Sequence, residues 1–176
     1  MRKRFIFYLL LSIPLLLTDA HFSEILYEFS FSHFMVTTYL FVTILFLFCQ
    51  SEYSQWSFAY AIIFGTIYDY YYFSFLGITV LSLPLFSLTA FGFKKIFSKN
   101  LSVFQESLLY TICLFIYVIV TFLLLRNHQF INLSLSFFIT YHFLPSLFFN
   151  LGIFVIFHKQ LHRFFYWLLH ITVTIA

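Results

Sequence analysis

The sequence predicts an all-α protein, a polytopic bundle of membrane-spanning helices. Three observations carry that prediction. Charged residues make up only 9% of the 176-residue chain, while 62% are hydrophobic. A soluble domain carries roughly 25% charged residues, so this chain could not cover a water-facing surface. Long apolar runs recur from one end to the other, each near the roughly 20 residues needed to cross a bilayer. Finally, the few basic residues are sorted between alternate connecting segments, as the positive-inside rule requires.

The first span opens on Arg2, Lys3 and Arg4 and runs apolar to Leu17. It has the outline of a signal peptide, but Thr18-Asp19-Ala20 is a poor cleavage site and the rest of the chain is itself apolar, so a retained helix is expected. Pro14 kinks it, which membrane helices tolerate. Five further spans are expected at about 33–50, 55–72, 75–93, 104–125 and 131–157, six in all. The segment "DAHFSEILYEFSFSH" (19–33) holds three acids and no Lys or Arg and reads as an outer loop. The third and fourth spans meet in a tight turn. Pro145 tilts or kinks the last span.

With the N-terminus in the cytoplasm, the inner segments hold Arg2, Lys3, Arg4, Lys94, Lys95, Lys99, Lys159 and Arg163. The outer segments hold Arg126 alone. That bias supports six spans with both ends cytoplasmic, in a single transmembrane domain over residues 1–157. Residues 158–176 are then a cytoplasmic tail. In it Leu161, Phe164, Phe165 and Leu168 repeat at i, i+3, i+4, i+7 against a polar stripe of Lys159, His162, Arg163, Tyr166 and His170. Such a helix lies on the inner membrane surface, as an anchor or as a docking face for a cytoplasmic partner.

Few residues offer chemistry. Cys49 and Cys113 lack a CxxC partner and read as inert membrane thiols. His158 and His162 stand at i, i+4, a spacing that can present two imidazoles to one metal, but no third ligand lies nearby in sequence and HExxH is absent. They read as interfacial histidines, and no metal or cofactor is expected. His142 reads as hydrogen-bonded inside the bundle. No GxSxG elbow exists, and with four glycines there is no phosphate loop. Basic stripes interleaved with aromatics, the footprint of nucleic-acid binding, are absent as well. Glu106 at the inner end of the fifth span and Asp69 in the outer part of the third are too separate to form a catalytic pair. Arg126-Asn127-His128 is the basic outer loop.

The stretch "FGTIYDYYYFSFLG" (64–77) places Asp69 in a lipid-soluble setting. From Gln55 it lies about 21 Å along a helix rising about 1.5 Å per residue, past the midplane. A carboxylate at a helix centre costs about 2.5–3.5 kcal/mol on insertion scales, so it should face protein. Gly65 is i−4 from Asp69 and shares its face, where a glycine lets another backbone approach. Gly77 allows a sharp turn or close packing, and Tyr68, Tyr70, Tyr71 and Tyr72 suit an interfacial belt. Two readings stay open: Asp69 is buried in the bundle or at a partner interface, or it caps a turn at the outer surface. On the first, Asp69→Asn should be tolerated, since it keeps the size and one carbonyl acceptor.

A short basic start, several spans without a soluble domain, and Gly-x3-Asp-x7-Gly (Gly65, Asp69, Gly77) at the turn between the third and fourth spans together resemble the MreD family of rod shape-determining proteins. The resemblance covers most of the chain in length and topology, and residues 65–77 in motif. It implies a non-enzymatic component of the bacterial cell-wall elongation machinery in the plasma membrane. Such a protein would act with MreC, a single-span protein with a large extracytoplasmic domain, to regulate or position peptidoglycan polymerases. It implies a fold similar to the substrate-binding subunits of energy-coupling-factor transporters, and it makes Gly65, Asp69 and Gly77 partner-binding or structural residues, none catalytic. Contact with membrane lipid is expected and contact with nucleic acid is not. A vitamin-binding transporter subunit of that fold class is the alternative, although the small-residue AxxxA patch is missing from "FIFYLLLSIPLLL". A lipid-modifying membrane enzyme is a third possibility.

Overall fold

The computed structural model describes residues 2–29, 34–50, 56–97 and 102–174, and side chains between Ile13 and Phe164 within those segments. Every regular element there is helical. Helix α1 is Arg2–Phe29 and α2 is Leu40–Gln50. Helix α3, Ser57–Tyr68, runs on into a π-helical turn, Asp69–Phe73. Helix α4 is Thr79–Ile96 and α5 is Val103–Asn127. The last helix, α6, joins Leu135–Phe138, a π-helical turn Ile139–Phe143, and Leu144–Thr174.

Two helices among the described residues, Val103–Asn127 and Leu135–Phe164, are long and apolar enough to cross a membrane. The surface fits that setting. Phe104, Ile96, Ile156 and Phe148 are each two-thirds or more exposed, and apolar exposure on that scale belongs against lipid or a partner. The core is aromatic: Phe46, Tyr60, Phe64, Phe86, Tyr110, Phe122 and Phe154 are fully buried. Tyr110 of α5 stacks on Phe154 of α6 at 4.5 Å, and Phe122 stacks on Phe138 at 4.1 Å. The phenylalanine-rich composition thus fills the interior with flat rings.

The structure corrects two expected elements. The outer loop expected over 19–33 is helix as far as Phe29, since 19–29 contains no glycine or proline to end it; residues 30–33 lie outside the described residues. The second expected span is helical only over Leu40–Gln50; residues 34–39 carry no regular structure. At the upper limit of about 3.3 Å per residue for 34–39 and about 1.5 Å per helical residue, the two parts together have a maximum length of about 36 Å, against a hydrocarbon core of about 30 Å.

Non-helical backbone in an apolar bundle needs partners for its N–H groups, and α1 and α6 supply them to Met35, Thr37, Thr38, Tyr39 and Leu40. Met35 N donates to Tyr141 O (3.0 Å), Thr37 N to Ser146 Oγ (2.9 Å) and Tyr39 N to Asn150 Oδ1 (2.8 Å), all on α6. The amides between point the other way, Thr38 N to Ser23 Oγ (3.0 Å) and Leu40 N to Asp19 Oδ1 (2.9 Å), both on α1. This is the two-residue alternation of a strand, read by a helix on each side. Pro145 explains one partner. It has no N–H for the carbonyl of Tyr141, four residues back, which is left for Met35.

The tail continues α6 without a break: Leu144–Thr174 is one helix. Of its expected apolar stripe, Leu161 packs against the core and Phe164 is exposed. Phe165 and Leu168, with Tyr166 and His170 of the polar stripe, lie outside the described side chains, as do the side chains of Arg2, Lys3 and Arg4 and the whole of Lys99.

Candidate functional site

Asp69 opens the π-helical turn at the end of α3 and is fully buried. Its carboxyl oxygens face the start of α4, where four backbone N–H groups have no partner within the helix. Oδ2 accepts from Gly77 N (2.8 Å), Ile78 N (2.9 Å) and Val80 N (3.2 Å). Oδ1 accepts from Thr79 N and from Thr79 Oγ1, both at 2.6 Å. The residue in the capping position of α4 is Ile78, which has no oxygen to offer, so Asp69 caps the helix from the preceding one.

Both glycines serve this arrangement. Gly77 has φ +136°, a conformation that side chains rarely allow. At Gly65 a Cβ would fall 2.6 Å from Val80 Cα and 2.8 Å from Thr79 O, so only glycine admits α4 at this distance. The Gly65 carbonyl also lies 2.9 Å from Thr79 Oγ1. Thr79 is therefore the common contact of Gly65 and Asp69, although the sequence reading did not single it out.

A second carboxyl group does the same for α2. Asp19 of α1 accepts from Leu40 N (2.9 Å) and Thr38 Oγ1 (2.9 Å) on Oδ1, and from Phe41 N (2.8 Å) on Oδ2. Sequence reasoning missed Asp19, Ser23, Ser146 and Asn150. Their signal was present: each pair stands at i, i+4 on an apolar helix, one face turned inward.

Between these two caps the bundle holds a partly open cavity of about 400 Å³. Asp19 and Ser23 come from α1, and Thr37, Thr38 and Tyr39 from the non-helical segment. Tyr68 and Tyr72 come from α3, Thr79 and Leu83 from α4, Tyr117, Thr121 and Phe122 from α5, and Phe138 and His142 from α6. Aromatic and aliphatic walls with a few hydroxyls suit an apolar molecule that has one polar end. His142 contributes a buried Nδ1 that makes no hydrogen bond among the described residues. The carboxyl oxygens of Asp19, on the cavity wall, and of Asp69, which does not line it, are engaged with backbone amides.

Glu106 lies elsewhere, in the first turn of α5, about 22 Å along that helix from Thr121 at 1.5 Å per residue. It meets His158 and His162 of α6, so the third group that the sequence around the histidines lacked is supplied by another helix. His128, just beyond the end of α5, packs its ring on Phe75 at 4.6 Å.

Described elements that are all helical, two of them long and apolar enough to cross a membrane, with inward polar groups that hold the backbone around a cavity, fit a helical membrane protein. Residues 3–169 match the family model described as rod shape-determining protein MreD, and the chain belongs to the MreD family. Membership gives it a role in determining rod shape, and the matched region includes Gly65, Asp69 and Gly77. No curated protein and no solved structure matches the chain.

Proposed function

We propose that this protein is a non-enzymatic, multi-pass component of the cell-wall elongation machinery, acting with an MreC-like single-span protein to position peptidoglycan synthesis. The observation that carries the reading is the family match over residues 3–169. The site chemistry supports it. The acids nearest the cavity are engaged in holding helix ends, so Gly65, Asp69 and Gly77 act by fixing the shape that α3 and α4 present to a partner. The basic-residue bias supports six spans with both ends in the cytoplasm and residues 158–176 as a cytoplasmic tail. A thiol placed at exposed Asn127 should then react from outside, and one at exposed Lys95 only after permeabilisation.

The test of function is co-purification with the MreC-like protein of the same cell, together with rod shape when the chromosomal copy is replaced. Loss of this chain should round the cells and leave the polymerases active in vitro. Normal rods without it would refute the assignment.

The cavity favours a second reading, in which the fold binds a small molecule as energy-coupling-factor substrate subunits do. About 400 Å³ of largely apolar space with a free imidazole nitrogen would take a compact amphiphile or the end of a lipid chain. Mass spectrometry of ligands released from protein purified in mild detergent tests it. A stoichiometric small molecule lost on His142→Phe would support it, and a cavity holding only detergent would not.

A further inference from the structure

At the far end of α5 from the cavity, three side chains of metal-ligating type converge from two helices. His158 Nε2 lies 2.7 Å from Glu106 Oε2, and His162 Nε2 lies 2.9 Å from Glu106 Oε1. One ligand atom from each of the three falls within 4.8 Å of the others. The two histidines are one helical turn apart on α6, so both rings face α5. The imidazole rings are 4.6 Å apart.

The residues are held for this. Ser102 and Gln105 form a capping box that fixes the first turn of α5, which carries Glu106. The ring of His158 packs edge-on to Phe154 at 5.6 Å, and Phe154 stacks on Tyr110 of α5. The side chain of Glu106 is 9% exposed and that of His158 14%, while His162, at 30%, opens toward the surface. Lys159 and Arg163 follow the two histidines in sequence but are exposed, so their charges are screened by water rather than set against the cluster.

We propose that Glu106, His158 and His162 form a site for a divalent transition-metal ion, Zn2+ by the chemistry of the donors, which clamps the start of α5 to α6. Two imidazoles and one carboxylate are a recurrent Zn2+ donor set. Tetrahedral bonds of about 2.0–2.1 Å put ligand atoms about 3.3 Å apart, so three ligand atoms that already lie within 4.8 Å of one another need to close by at most about 1.5 Å. Two hydrogen bonds are exchanged for three metal bonds, and the fourth position faces the open side by His162, where water or a partner's donor completes the shell. The clamp stands on this geometry alone and is independent of the MreC reading.

The test uses the full-length chain, purified in detergent and stripped with a chelator. Zn2+ titrated against a chromophoric competitor should bind at one ion per chain, and Co2+ should give the intense visible bands of a tetrahedral site. Zn2+ should also raise the melting temperature. His162→Ala, at the exposed rim, should weaken Zn2+ binding by at least about tenfold and lose most of the rise in melting temperature that Zn2+ adds over each protein's own metal-free value. Glu106→Gln should do likewise while keeping the shape of the side chain, and His128→Ala should leave Zn2+ affinity unchanged. Octahedral Co2+ spectra in the wild type, or equal Zn2+ affinity and stabilisation in wild type and His162→Ala, would overturn the proposal.

Discussion

Removing the carboxyl group of Asp69 tests the architecture most directly. Asp69→Ala takes away the acceptor of five hydrogen bonds, four from consecutive amides and one from Thr79 Oγ1. Ile78 and Thr79 are at most 1% exposed, so water cannot replace the lost acceptor at those two amides. Each buried donor left unpaired costs about 1–3 kcal/mol. Gly77 and Val80 are less enclosed and Thr79 Oγ1 can turn fully to the Gly65 carbonyl, so the total is about 3–5 kcal/mol. Asp69→Asn is informative in another way. Backbone N–H groups approach both carboxyl oxygens, so whichever position the amide NH2 takes, it meets a donor. The substitution expected from sequence to be tolerated should therefore cost about 1–3 kcal/mol. Thermal unfolding in detergent, followed by fluorescence-detected size exclusion, should order the proteins wild type, Asn, then Ala, at matched expression. An Asp69→Ala protein as heat-resistant as wild type would refute the capping argument. So would an Asn variant that loses its partner while keeping wild-type stability, since the carboxyl would then act at an interface.

Gly65→Ala should destabilise by about 1–3 kcal/mol, because its Cβ meets the backbone of Val80 rather than a side chain that can move. Gly92→Ala, with nothing within 4 Å, is the matched control and should be neutral or slightly stabilising in the same assay. Asn150→Leu should leave Tyr39 N and the Thr37 carbonyl unpaired at a buried position, lowering stability by about 2–5 kcal/mol. Faster hydrogen exchange at the Tyr39 amide should report the opening directly.

Several elements were legible because a single physical rule governed them. Apolar composition and period give helices, and Val103–Asn127 matches the expected 104–125 within two residues. Gly65 and Gly77 stand out because each is a scarce residue in a conformation or contact that little else allows. The non-helical stretch 34–39 was not legible, since its residues are as apolar as a helix and the reason for it lies in Asp19, Ser23, Ser146 and Asn150. The meeting of Glu106 with His158 was hidden for the same reason: 52 residues separate them, and only the packing of α5 on α6 closes the gap. Pro145 sat in between. A tilt or kink was expected there from the sequence, but not that the carbonyl Pro145 frees would be taken by Met35.

The non-helical segment also sets an order of events during synthesis. Met35, Thr37 and Tyr39 lie early in the chain, and their hydrogen-bond acceptors are Tyr141, Ser146 and Asn150, more than a hundred residues later. While the ribosome makes the intervening helices, these amides have no lasting partner, and hydrocarbon offers none. Residues 34–39 must therefore wait in water, at the membrane interface or within the insertion machinery until α6 arrives. The second segment of the chain is thus among the last to be completed, and a protein truncated before Asn150 would be left open at its beginning.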